Sequence, residues 1–171
     1  MADRSAPVAL AWKSLEHYLN RSEPLPPPTS LPTELAGKAG VFVSLKKGGQ
    51  LRGCIGTFAP TQPTIAAEII QNAISAATQD PRFAPVDLKE LPEIVISVDI
   101  LSEPEQIDSI SQLDPKRYGV IVRCGRRSGL LLPDLEGVDS VEEQVAIAMQ
   151  KAGIVPQGEV ELYRFSVTRY L

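Results

Sequence analysis

Hydrophobic and polar positions change period several times along the chain, and each change marks an element. Over residues 6–20, Val8, Ala11, Trp12, Leu15 and Leu19 recur at helical spacing and form one apolar face. His17 falls on the opposite side of that helix and is expected to face solvent. Residues 21–36 hold five prolines and read as an extended linker. Residues 41–46 and 51–58 are strand-like, and Lys47-Gly48-Gly49-Gln50 between them reads as a hairpin turn. A second helix is predicted over 64–79, with Ile65, Ile69, Ala73 and Ala76 in its stripe, ended by Asp80-Pro81.

The second half alternates differently. Residues 93–101 are β-branched and almost all apolar, the pattern of a central strand covered on both faces. A polar connection over 102–116 follows. Residues 118–124 and 129–132 flank Gly125-Arg126-Arg127-Ser128, a second hairpin signal. Ser140 and Glu143 have capping-box spacing and predict a helix over 141–152, closed by Gly153. Residues 159–168 make a last strand. Its apolar parity switches between Leu162 and Phe165, which predicts a bulge or burial on both faces. About six strands and three principal helices, without regular βαβ alternation, define an α+β fold with a mostly antiparallel sheet flanked by helices.

Composition narrows the classes. The 171 residues fit one domain, and 43% hydrophobic with 22% charged residues is a globular balance. Seventeen basic against 21 acidic residues leave a net charge of −4, which opposes non-specific nucleic-acid binding. Apolar runs are too short to span a bilayer, and MADRSAPVALAW lacks the build of a signal peptide. Two cysteines, Cys54 and Cys124, without a C-x-x-C spacing, suit a reduced cytoplasmic protein. With His17 as the one histidine, a zinc or iron site of several His or Cys ligands is not expected, and no cofactor is predicted.

Three stretches carry chemistry. In QLRGCIGT, Cys54 lies between Gly53 and Gly56, two positions after Arg52. Strand alternation puts Arg52 and Cys54 on one face, where a guanidinium would favour the nucleophilic thiolate. The glycines point to a close approach to the backbone, by a ligand, a packed helix or a bulge. The opposing reading is a small buried residue, since free cysteine is among the residues most often buried. In TQDPRFAP, Asp80 and Arg82 are placed to orient a polar ligand with Phe83 as a wall; a helix stop is the alternative. The third stretch, 116–128, gathers Lys116, Arg117, Arg123, Arg126 and Arg127. It reads as an anion or acidic-partner contact, or as a charged hairpin that blunts a sheet edge.

The runs GVFVSLKKGGQLRGCIGT, AATQDPRFAPVDLKELPEIVISVDILSEPEQI, YGVIVRCGRRSGLLLP and MQKAGI resemble the AMMECR-type domain family, in the same order and with similar spacing. The hallmark hexapeptide LRGCIG is complete at Leu51 to Gly56, the DPRF element stands at Asp80 to Phe83, and Leu132-Pro133 follows the basic hairpin. The resemblance implies a single domain over residues 1–171 with a larger and a smaller part, and a cleft between them near the hexapeptide. It also implies membership of the Amme-Memo-RadiSam system as its protein A component. The partners there are a Memo-like protein and a radical S-adenosylmethionine protein. Two positions depart from the family pattern: Asp134 where glutamine is frequent, and Met149 where cysteine is frequent.

The resulting expectation is an enzyme subunit in which Cys54 acts as nucleophile or covalent tether, assisted by Arg52. Gly53, Gly56, Thr57, Asp80, Arg82, Phe83 and Pro133 would form its substrate site. The alternative is a non-catalytic adaptor that presents a substrate or surface to partner proteins, and nucleic-acid binding through 116–128 is a lesser one.

Overall fold

The computed structural model describes residues 3–155 and 159–171. These residues form two compact units. One takes the chain up to Ile100 and adds Thr168–Leu171; the other is Leu101–Val167.

The first unit begins with α1 (Ala6–Arg21), with proline in its first turn and Ser22 in the left-handed region at its C-cap. Val8, Ala11 and Leu15 are buried, as the stripe requires, and so are Leu10 and Ser14. The Ser14 hydroxyl donates to the carbonyl of Ile70 on α3 (Ile65–Thr78), which satisfies a buried polar group between the two helices. The linker then returns over α1, tacked to the core by the half-buried Leu25 and Leu31, and ends in the one-turn α2 (Thr33–Ala36). This return corrects the expectation for His17: its side chain is 19% exposed, with Nε2 buried 3.8 Å from Glu23.

Strands β1 (Val41–Lys47), β2 (Gln50–Thr57), β3 (Ile94–Leu101) and β8 (Val167–Tyr170) form a sheet in the order β2-β1-β3-β8. Gly48 and Gly49, at φ +59° and +77°, make the two-residue turn between β1 and β2. Positive φ at both central positions is what a turn matching the strand twist demands. One face of the sheet, with Val41, Val43, Leu45, Ile96 and Val98, lies in a buried core with Ile69, Ala73 and Ala76 of α3. The other face carries Phe42, Ser44, Ser97 and Asp99. Val95 on β3 is 66% exposed, so this strand is not covered on both faces along its whole length. Before β3, Leu88–Glu93 forms a short 3₁₀ helix capped by Asp87 and Glu90.

The second unit has its own sheet, in the order β4-β7-β5-β6: β4 (Glu105–Ile107), β5 (Gly119–Cys124), β6 (Arg127–Leu131) and β7 (Glu161–Phe165). The polar connection after residue 102 thus contains β4 and a 3₁₀ turn at Ile110–Gln112. The β5–β6 turn is only Gly125-Arg126; Arg127 and Ser128 already pair with Cys124 and Arg123. Helix α4 (Val141–Ala152) packs on β5 and β6. Ser140 caps it by accepting from the Glu143 N–H, while the Glu143 carboxylate reaches one residue further back, to the Asp139 N–H.

The predicted last strand is two strands. β7 pairs with β4 and β5, the ladder breaks at Ser166, and β8 joins the other sheet beside β3. The parity switch between Leu162 and Phe165 precedes this change of sheet. Eight strands and four α-helices among the described residues replace the six and three expected, in two antiparallel sheets flanked by helices. No helix among these residues is long and apolar enough to cross a membrane.

Candidate functional site

The site is organised by an irregularity in β2. Gly53 pairs with Leu45 but Leu51 pairs with Lys46, so Arg52 has no partner across the ladder. This is a bulge, and a bulge re-aims the side chain it carries. Arg52 therefore does not continue the face of Cys54. Its Nε and Nη2 donate to the two carboxylate oxygens of Glu90, each at 3.1 Å, and its terminal nitrogens also donate to the carbonyls of Ala84 and Pro85. Glu90 also pairs with Lys47 and is held down to about 2, first by Arg52 and then by the Asp87 N–H. Arg52 is a clamp on the segment leading into β3, which corrects its expected role as activator of the thiol.

Cys54 sits opposite Ser44, with Sγ 3.1 Å from Oγ. Its N–H points away from β1, off the edge of the sheet, and donates to Asp80 Oδ2 at 3.0 Å. The pair is thus of the non-hydrogen-bonded kind, in which facing side chains come closest. Asp80 follows the end of α3 and is buried. It accepts both Nε and Nη2 of Arg82, at 3.0 and 2.7 Å, and the Arg82 N–H. The Arg82 guanidinium holds the Asp80 carboxyl far below the usual carboxylate range, against the effect of burial. Arg82 itself is 56% exposed and lies over the Phe83 ring, with its centre 5.5 Å from the ring centroid.

Burial pushes the Cys54 thiol up from its ordinary 9.0. The Ser44 hydroxyl and Arg82 pull it down, while Asp99 and Asp80 add to the rise. The cation near the thiol is Arg82, and the thiol is protonated at neutral pH. Asp99 is in turn clamped by Arg169 of β8, at 2.8 and 3.0 Å. Ser44 and Asp99 were missed in the sequence, although each is a polar residue inside an otherwise apolar strand run.

The other expected ligand contacts have structural explanations. A Cβ on Gly53 would lie 2.1 Å from the carbonyl oxygen of Ala76, so the glycine lets α3 approach β2. A Cβ on Gly56 would strike the Phe42 ring at 2.2 Å. The Thr57 hydroxyl donates to Glu68, a buried carboxylate that also takes the Thr61 hydroxyl and the N–H groups of Thr61 and Gln62. Burial raises the Glu68 pKa, but these four donors outweigh it and the net shift is downward. Glu68 thereby fixes the loop after β2. Pro133 is buried in the second unit, beside Asp134 at φ +57°. In the basic hairpin, Lys116 pairs with Asp139, Arg123 with Glu161, Arg127 donates to the Gly153 carbonyl, and Arg117 lies over Tyr118. The structure thus brings together Cys54, Asp80, Arg82 and Phe83 with Ser44, and leaves Arg52, Gly53, Gly56 and Thr57 as framework.

An α+β chain with an LRGCIG bulge strand tied to a DPRF turn defines the class of protein. The family model described as AMMECR1 matches residues 8–170, and the chain belongs to that family. A Thermotoga maritima protein is 57% identical over 95% of both chains. The Clostridium acetobutylicum protein CA_C1420 is 52% identical over 95% of this chain, which spans only 35% of that longer protein. The crystal structure of the uncharacterized protein PH0010 from Pyrococcus horikoshii superposes with a TM-score of 0.88 at 36% identity, covering 95% of this chain and 88% of that one.

Proposed function

We propose that this domain is a binding and presenting component of a multi-protein modification system in the cytoplasm, and that it leaves the chemical step to its partners. The family resemblance supplies those partners as a Memo-like protein and a radical S-adenosylmethionine protein. The observation that carries the reading is the state of the site. The thiol is half-buried and protonated, while the fork of Asp80 and Arg82 beside it is held by two hydrogen bonds and presents a cation outward. That suits recognition better than nucleophilic attack, which needs a thiolate. The longer Clostridium relative supports it too, since there the matching segment is one part of a larger chain.

Co-elution on a sizing column tests this. The full chain and each partner, mixed at micromolar concentration, elute together. Cys54→Ser and thiol alkylation leave the complex intact, and Arg82→Glu weakens it. Separate elution of both partners, or loss of the complex in Cys54→Ser alone, overturns the reading.

A covalent tether at Cys54 is the second reading. It is favoured by the Ser44 hydroxyl at 3.1 Å and by Arg82, both of which act against burial to favour the thiolate. Intact-mass spectrometry of the chain recovered from its partners checks it: an adduct absent from Cys54→Ser supports the tether, and an unmodified mass removes it.

A further inference from the structure

The sheet face that carries Cys54 continues as an ordered pattern of rows. Directly paired residues of antiparallel strands point to the same side. Ser44 pairs with Cys54 on one flank and Ser97 on the other, which makes a row of three small polar groups across β2, β1 and β3. Two residues along β1, Lys46 pairs with Leu51 and Val95. That neighbouring row is apolar, cationic, apolar, and all three of its residues are exposed: Val95 at 66% and Leu51 at 39%. The row is about 10 Å wide and lies about 7 Å from the thiol row, the spacing of two residues in an extended strand.

Leu51 and Val95 flank Lys46, so two exposed aliphatic side chains stand on either side of one cation in this row. Asp80 and Asp99, the two carboxylates whose charge acts on the thiol, are each already clamped by an arginine. Lys46 forms no ion pair among the described residues. The face therefore keeps an unbalanced positive charge on a chain whose net charge is −4.

We propose that the row of Leu51, Lys46 and Val95 is a docking strip for an acidic, extended polypeptide segment of a partner. A carboxylate of that segment meets Lys46, and aliphatic groups beside it cover Leu51 and Val95. This rests on the reading of the domain as a presenting component and names the class of polymer presented.

The test is fluorescence anisotropy of a short fluorescein-labelled peptide of valine and glutamate, titrated with the full chain at low salt. A valine and lysine peptide serves for comparison. Saturable binding is expected for the glutamate peptide alone. Lys46→Glu and Val95→Asp each weaken it about tenfold or more, as loss of a desolvated charge contact or an apolar flank does. Both positions are exposed, so the variants keep the fold, which circular dichroism checks. Cys54→Ser binds the peptide within about twofold of the parent, because the strip and not the thiol holds it. Absence of saturation at about 1 mM, equal binding of the lysine peptide, or indifference to Lys46→Glu overturns the proposal. Peptide binding alongside separate elution of the partners would leave the strip standing and remove only the named partners.

Discussion

Asp80 accepts the backbone N–H of Cys54 at 3.0 Å across the open edge of β2. One carboxylate thereby ties an edge strand to the turn that follows α3 and fixes a guanidinium. Its removal has effects beyond the loss of one ion pair.

Asp80→Asn is expected to destabilise the chain by about 2 kcal/mol at neutral pH, since a buried charge-assisted network loses its centre. The folded pKa of Asp80 lies below its ordinary 3.8. Its contribution is therefore fully present above that value and is lost as the pH falls through the folded pKa. Urea titrations of parent and variant should differ by a constant amount from about pH 5 upward and converge in acid. A difference that grew on acidification would contradict the assignment.

Glu90 gives a second acid-linked contribution with a defined window. Its pKa falls from 4.5 to about 2, with Arg52 as the main cause. The gap between parent and Glu90→Gln stabilities should be complete above pH 4.5 and disappear as the pH falls through about 2. In Arg52→Ala the gap should shrink at neutral pH, because the same clamp is already broken. Double-mutant urea titrations measure this coupling directly.

Alkylation rates at Cys54, followed against pH by mass spectrometry, should rise with a midpoint above 9.0. Arg82→Ala should move that midpoint further up, because it removes a cation that favours the thiolate. Arg52→Ala should leave it unmoved, since Arg52 is engaged by Glu90. A midpoint near neutrality in the parent would overturn the protonated-thiol assignment.

The two units solve the same packing problem in the same way. Gly53 faces the Ala76 carbonyl of α3, and Gly129 faces the Ala148 carbonyl of α4, each with a hypothetical Cβ at 2.1 Å from oxygen. Neither backbone oxygen can swing aside as a flexible side chain would. Gly53→Ala and Gly129→Ala should each cost about 2–4 kcal/mol and lower Tm by roughly 5–15 °C. Differential scanning calorimetry decides; a shift within a degree would mean the helices move freely.

Local periodicity made α1, α3, α4, both hairpins and the helix stop at Asp80 legible. What it could not carry were facts set by pairing. The bulge at Arg52 is visible only once Leu45 and Lys46 are matched to Gly53 and Leu51, and it inverted the role given to Arg52. The exposure of Val95 was hidden because β-branched residues read alike on open and covered faces. His17 was misjudged because its own helix does not record the chain that folds back over it. Of the candidate site, Cys54, Asp80 and Arg82 were readable from motif spacing. Ser44 and Asp99 come from strands distant in sequence, and only the register brings them alongside.

The Asp99 clamp depends on Arg169, which follows the whole second unit in the chain. During synthesis, β3 leaves the ribosome with its outer edge open and Asp99 without its arginine partner. The edge stays open until β8 emerges, after β4 to β7 have been made. For that interval the nascent chain presents one open strand edge rich in isoleucine and valine, the kind of edge to which other nascent chains add. The order of segments along the chain thus has a structural consequence: four late residues, Val167–Tyr170, set how long the outer edge of β3 stays open.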